Sequence, residues 1–192
     1  GHKLEKLDLS NNMLHSIASC AFCNSSIKEM DISKNHFHEF KPNILVPLQT
    51  SLLFLNAANN SYLLNSSSSL YNLLSPLRKL QSLYLSHMNI DDKIGGDIFS
   101  NLGHSLISLD LSNNHLTNLT TQLFSHFRTL KDLDLSYNRI KGIPYPVIKT
   151  ISAMSTLDHL TLSGKYWSCY RCHILPIKDW LANNPIAYDA VC

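Results

Sequence analysis

The side chains in this chain best suited to chemistry are its five cysteines and ten histidines. Cys169-Tyr-Arg-Cys172-His173 spells C-x-x-C-H, the spacing that attaches a c-type haem. No methionine or further histidine is placed obviously as a second axial ligand. Cys20-x-x-Cys23 together with Cys169-x-x-Cys172 has the ligand count of a four-cysteine zinc site, if the fold can bring the pairs together. Cys20 and Cys23 alone suit a local disulfide; pairing with a preceding segment and free buried thiols are the alternatives. Histidines gain charge near pH 6, so a row of them could alter an interface or ligand site. Catalytic signatures are missing: there is no G-x-S-x-G, no glycine-rich phosphate loop and no H-E-x-x-H, and only six glycines occur. The chain reads as a non-enzyme, with no cofactor implied.

The elements that must position these groups are set by a repeat. From Leu4 the chain reads L-x-x-L-x-L-x-x-N-x-L-x-x-I, through Leu7, Leu9, Asn12, Leu14 and Ile17. Copies open at Ile27, Leu52, Leu80, Leu106, Leu130 and Leu157, at spacings of 23, 25, 28, 26, 24 and 27 residues. Seven phased copies specify stacked coils. Alternation in x-L-x-L-x predicts a short strand with leucines inward and the x residues outward. Asn12, Asn35, Asn60, Asn114 and Asn138 fall at the turn after each strand. There an amide can both donate to and accept from backbone groups that would otherwise be buried unpaired. This Asn ladder is interrupted at Met88, where local irregularity is expected. Phe22, Phe99, Phe124 and Phe127 are expected to plug the core from the convex side, and Asn65-Ser-Ser-Ser-Ser69 to bulge from it or from the lateral rim.

Stacking disposes of the zinc site. The two cysteine pairs lie about six coils apart, and at roughly 5 Å per coil about 30 Å separates them. It also shows why Asp8, Asp31, Asp110 and Asp134 recur: each belongs to an L-D-L-S or equivalent segment, and they are not an acid pair.

The outward strand positions build a concave surface. Its charges are mixed and include no basic stripe, so phosphate-backbone binding there has little support. Leu53, Phe54, Tyr84 and Ile107 form an apolar strip midway along, a candidate contact for a protein or ligand. His36, His115 and Arg139 each follow a ladder Asn and share one lateral face, a second candidate surface. A net charge of +2 is too small to argue for nucleic acid or an anionic membrane. No run of about 18 apolar residues is present to span a bilayer.

Four N-x-S/T sequons, at Asn24, Asn59, Asn65 and Asn118, favour the secretory pathway. The chain opens inside a repeat without an N-terminal cap and is read as a fragment, with repeats over 1–162 and a truncated cysteine-rich cap over 163–192.

That end carries a specific resemblance. Trp167, Cys169, Cys172, Trp180, Leu181 and Cys192 resemble the C-terminal cap of animal extracellular leucine-rich-repeat proteins. Lys165-Tyr166 replaces the usual Asn-Pro, and two residues rather than one separate the first cysteines. The resemblance implies Cys169–Cys192 pairing and a partner for Cys172 beyond residue 192; it also accounts for the C-x-x-C-H without haem.

With the D-L-S-x-N repeats, irregular spacing, serine tract and sequons, the chain is most similar to the membrane-proximal part of a Toll-like receptor ectodomain. That implies an α/β leucine-rich-repeat solenoid, or horseshoe. Its parallel β-sheet is concave, its convex side irregular or short-helical, and its C-terminal end capped. It further implies an extracellular or luminal segment of a single-pass innate immune receptor that binds a protein partner or microbial ligand and dimerises. The family leaves nucleic acid open as a ligand without support from the charge. The alternative is an adhesion, guidance or matrix leucine-rich-repeat protein.

Overall fold

The computed structural model describes residues 4–61 and 67–164, together with Trp180, Ala182 and Ala187–Tyr188. Its strands are β1 (Lys6–Asp8), β2 (Glu29–Asp31), β3 (Phe54–Asn56), β4 (Ser82–Tyr84), β5 (Ser108–Asp110), β6 (Asp132–Asp134), β7 (His159–Thr161) and β8 (Ala187–Tyr188). They form one parallel sheet in sequential order. Register follows the repeat: Leu7 lies beside Met30, then Leu55, Leu83, Leu109, Leu133 and Leu160. From Met30 to Leu160 these central residues are buried, while their strand neighbours face out. This is the leucine-rich-repeat solenoid.

The return segments hold 3-10 turns at Val46–Leu48 and Gly96–Leu102, and helices α1 (Ser67–Leu74), α2 (Thr121–Phe124) and α3 (Tyr145–Ser152). Phe22, Phe99, Phe124 and Phe127 are buried from this side, and Phe99 and Phe127 stack with centroids 5.8 Å apart. The serine tract corrects an expectation. Ser67–Ser69 open α1 instead of bulging, because Leu70, Leu73 and Leu74, spaced along one helical face, are all buried in the core. In coil 1, Leu4 is exposed and Leu7, Leu9, Leu14 and Ile17 are only partly buried.

The ladder can be read bond by bond. Asn114 Nδ2 donates to the carbonyls of Leu111 and Ser112 in its own coil and of Leu85 in the coil before; its Oδ1 accepts from Met88 and Ile90 N–H. Asn35 and Asn138 do the same to Leu9 and Leu111, and accept from Leu14 and Leu116. Asn60 donates to the Ile32 carbonyl, and its buried Oδ1 has no hydrogen-bond partner among the described residues. Asn12 is exposed and, among the described residues, bonds its own coil at Leu9 and Ser10.

Met88 does not distort the turn. Leu83 keeps register with both neighbours, and Met88 is fully buried with its N–H held by Asn114. What is lost is the buried ladder amide at this position, not the backbone path; at the surface Asn89 Nδ2 reaches back to the Ser61 carbonyl at 3.5 Å.

A second regularity lies one residue earlier. Asn11, Lys34, Asn59, His87, Asn113 and Tyr137 all adopt left-handed φ of 52–57°. Each N–H donates across to the next coil, to Ser33, Ala58, Ser86, Ser112, Ser136 and Ser163 carbonyls respectively. That backbone conformation disfavours side chains other than Gly, Asn and Asp. Lys, His and Tyr accept it here because the inter-coil bond is made only in this geometry.

Candidate binding surface

The strands place the candidate strip as alternation demands. Leu53, Phe54, Tyr84 and Ile107 are all half-buried on the concave side. Phe54 pairs with Ser82 and Asn56 with Tyr84, so Phe54 and Tyr84 stand diagonally across β3 and β4. Their ring centroids are 5.3 Å apart at an interplanar angle of 42°. Such cross-strand aromatic contacts hold both rings in defined orientations.

On either side of this strip the sheet is acidic, but the two flanks differ. On β1 and β2 the charges answer one another. Lys6 pairs with Glu29 at 2.9 Å and Lys28 with Glu5 at 2.7 Å. The Lys6 ammonium is held above its ordinary value by its hydrogen bond to Glu29 and by that residue's charge, with Asp8 and Asp31 adding to it. Asp8 lies below the usual carboxylate range because Ser10 hydrogen-bonds it. Asp31 accepts from Ser33 N–H and from Asn56 Nδ2.

On β5 to β7 the balance fails. Asp110 and Asp134 are register partners on adjacent strands. One oxygen of each is fixed by a backbone N–H two residues on, from Ser112 and Ser136. Asp132 meets His159 at 2.9 Å. Tyr84, Asp110, Asp132, Asp134, His159 and Thr161 line a shallow concavity of about 230 Å³. Motif reading explained the Asp residues as repeat elements and missed this clustering; the signal was the repeat phase, which stacks Ser108-Leu-Asp110 on Asp132-Leu-Asp134.

The histidine candidates are brought together differently from the spacing argument. His36 lies between coil-1 and coil-2 turns, its ring 5.7 Å from His15, and His15 is 5.3 Å from His38. His115 and Arg139 sit farther along the same lateral edge. Each donates its N–H to the preceding coil, to Ile90 and Leu116, as His36 does to Leu14. Among the described residues no group of three or more His, Cys, Asp or Glu could hold a metal ion.

Cys20 and Cys23 are joined by a disulfide, their Cα atoms 4.8 Å apart, with buried Phe22 between them. Asn24, Asn59 and Asn118 are exposed. The Asn118 side-chain amide and backbone N–H, with the backbone N–H and hydroxyl of Thr117, donate to the Asp92 carboxylate. Asn65, Trp167, Cys169, Cys172 and Cys192 lie outside the described residues. Trp180 is described, and it is buried in the core. Among the described residues no helix is long and apolar enough to cross a membrane.

Comparison with known proteins agrees with this architecture. Family models described as leucine rich repeat match residues 78–140, 104–165 and 3–25. The chain is a leucine-rich-repeat protein. It is 30% identical to chaoptin of Drosophila melanogaster over 158 residues, which covers 81% of this chain and 11% of chaoptin. Human 5T4, also titled Wnt-activated inhibitory factor 1 and trophoblast glycoprotein, superimposes with a TM-score of 0.75 at 20% identity, over 97% of this chain and 78% of that one. A TLR13–ssRNA13 complex gives 0.62 at 25% identity, over 83% of this chain and 24% of the other. The chain thus spans about a tenth of chaoptin and about a quarter of the TLR13 chain.

Proposed function

We propose that this chain is a ligand-binding and dimerising segment of a Toll-like innate immune receptor ectodomain, extracellular or luminal, in a single-pass membrane protein. The observation that carries the binding role is the Phe54–Tyr84 ring pair, half-exposed at the centre of a rigid parallel sheet. Apolar rings fixed before a partner arrives lose little entropy on docking. The likeness to TLR13 and the cap residues Trp167, Cys169, Trp180 and Cys192 support the receptor assignment. The proposal includes glycans on Asn24, Asn59, Asn65 and Asn118, a Cys169–Cys192 disulfide and a cap over 163–192.

TLR13 was solved with single-stranded RNA. The acidic concave face here speaks against a polyanion docking on that face, and the same observation favours a second reading, an adhesion or matrix module that binds protein. The coding sequence after Cys192 separates the two. A membrane span followed by a Toll/interleukin-1 receptor domain is expected; immunoglobulin or fibronectin modules would establish the second reading instead. On either reading, alanine at Phe54 and Tyr84 should weaken the partner by roughly tenfold or more, as for central interface aromatics. Unchanged affinity would remove the strip.

A further inference from the structure

The outward positions of β1 to β7, with the one or two residues leading into each strand, carry eight carboxylates against three lysines. That is a net of −5 on a chain whose total is +2. The excess is not spread evenly. Glu5 and Glu29 are neutralised by Lys28 and Lys6; Asp8 and Asp31 are also register partners, but Asn56 bonds Asp31 and both carboxylates act on the nearby Lys6 ammonium. The apolar strip on β3 and β4 separates this satisfied flank from the other. There Asp110 and Asp134 stand side by side in register with no ion pair among the described residues, and Asp132 has only His159. Like charges directly opposite in a sheet are unfavourable. Their positions are locked by Ser112 and Ser136 N–H, so the pair cannot separate to relieve it. Tyr84 is the register partner of Asp110 on the other side and presents its ring at the wall of the same concavity. A cation seated there gains two carboxylates and an aromatic face.

We infer that the partner of the concave face is a protein segment that pairs an apolar side chain, seated on Phe54 and Tyr84, with an arginine or lysine seated between Asp110 and Asp134. This rests on the binding role proposed above and names its chemistry. Charge complementarity selects the occupant: an anionic ligand would meet an uncompensated acidic flank, and an uncharged one would leave the Asp pair unrelieved.

The test is selection of random 12-residue displayed peptides on the full chain. The retained peptides should be enriched in Arg or Lys near an aromatic or aliphatic residue. A synthetic copy of one should bind the D110N/D134N variant about tenfold more weakly, which corresponds to about 1.4 kcal/mol. It should also weaken as salt rises. The Asn substitutions keep side-chain shape and still accept Ser112 and Ser136 N–H, and an unchanged circular dichroism melt verifies the fold. Retained peptides without basic enrichment, affinity indifferent to D110N/D134N, or no retained peptide would each overturn the inference. If affinity falls in the Phe54 and Tyr84 variants but not in D110N/D134N, the strip stands and its proposed cationic partner does not.

Discussion

At the scale of single residues, the ladder shows why one side chain type recurs. Replacing Asn114 by Ala strands the Leu85 carbonyl and the Met88 and Ile90 N–H groups in a dry interior, while the Leu111 and Ser112 carbonyls keep their bonds from Asn138 and His87. A cost of roughly 3 kcal/mol is expected in urea unfolding, since each buried orphan group carries a desolvation penalty. Asn12→Ala, at an exposed position, should cost under about 1 kcal/mol; equal losses at the two positions would refute the inter-coil account. Asp92 is a second residue-scale case. Burial raises its carboxyl, but bonds from Thr117 and Asn118 outweigh that and hold it below the ordinary carboxylate range. A depressed folded pKa stabilises above the unfolded value, near 3.9, and the gain is lost as pH falls through the folded value. Asp92→Asn should therefore lower the free energy of unfolding at pH 7, by on the order of 1 kcal/mol or less given its exposure. The difference from the parent should shrink below about pH 4.

At the scale of elements, the convex side is where packing is tightest and least periodic. A Cβ at Gly103 would lie 2.3 Å from the backbone carbonyl oxygen of His126, so the end of the Gly96–Leu102 turn cannot accept it without moving. Gly103→Ala should cost roughly 1–3 kcal/mol as an overpacking change. At Gly96 the same Cβ would lie 2.3–2.7 Å from Gln122 Cγ, Cδ and Cβ, and at Gly95 nothing stands within 4 Å. Thermal melts should rank Gly103→Ala well below Gly95→Ala; a similar Tm for these two would contradict this packing. The repeat made the strands legible but not these contacts. Return segments vary from coil to coil, and their spacing carries no period from which a neighbour can be inferred. The serine tract is the clearest instance: its polarity pointed to a bulge, and three buried leucines downstream made it the start of a helix.

For the whole molecule, stability is approximately a sum over coils and their interfaces, so the proposed cap over 163–192 would matter as much as any inner coil. If the secretory assignment holds, mass spectrometry without reduction should find Cys169 joined to Cys192; finding Cys172 there would contradict the cap alignment. Asn65→Gln should shift the mass of the secreted chain by one glycan, and no shift would mean the sequon is unused. The concave face is a property of this scale too. Phe54 and Tyr84 were identifiable in sequence because alternation places both outward. Asp110 and Asp134 read as repeat letters, because a motif records what each residue does within its own coil.

Sequence alone determined the coil: where each strand begins, which leucines turn inward, which asparagines enter the ladder. It could do so because the coil's hydrogen bonds and hydrophobic positions recur with nearly constant spacing. Only the tertiary structure decided what lies beside what. It kept the turn at Met88 regular, since the His87 N–H bonds the next coil and Asn114 holds Met88 N–H from outside the repeat. It seated Lys34, His87 and Tyr137 in a left-handed conformation that their own preferences resist. It also set two like carboxylates in register on neighbouring strands. In a parallel stack, residues about 24 apart become nearest neighbours, and whether their charges are answered depends on the coils to either side.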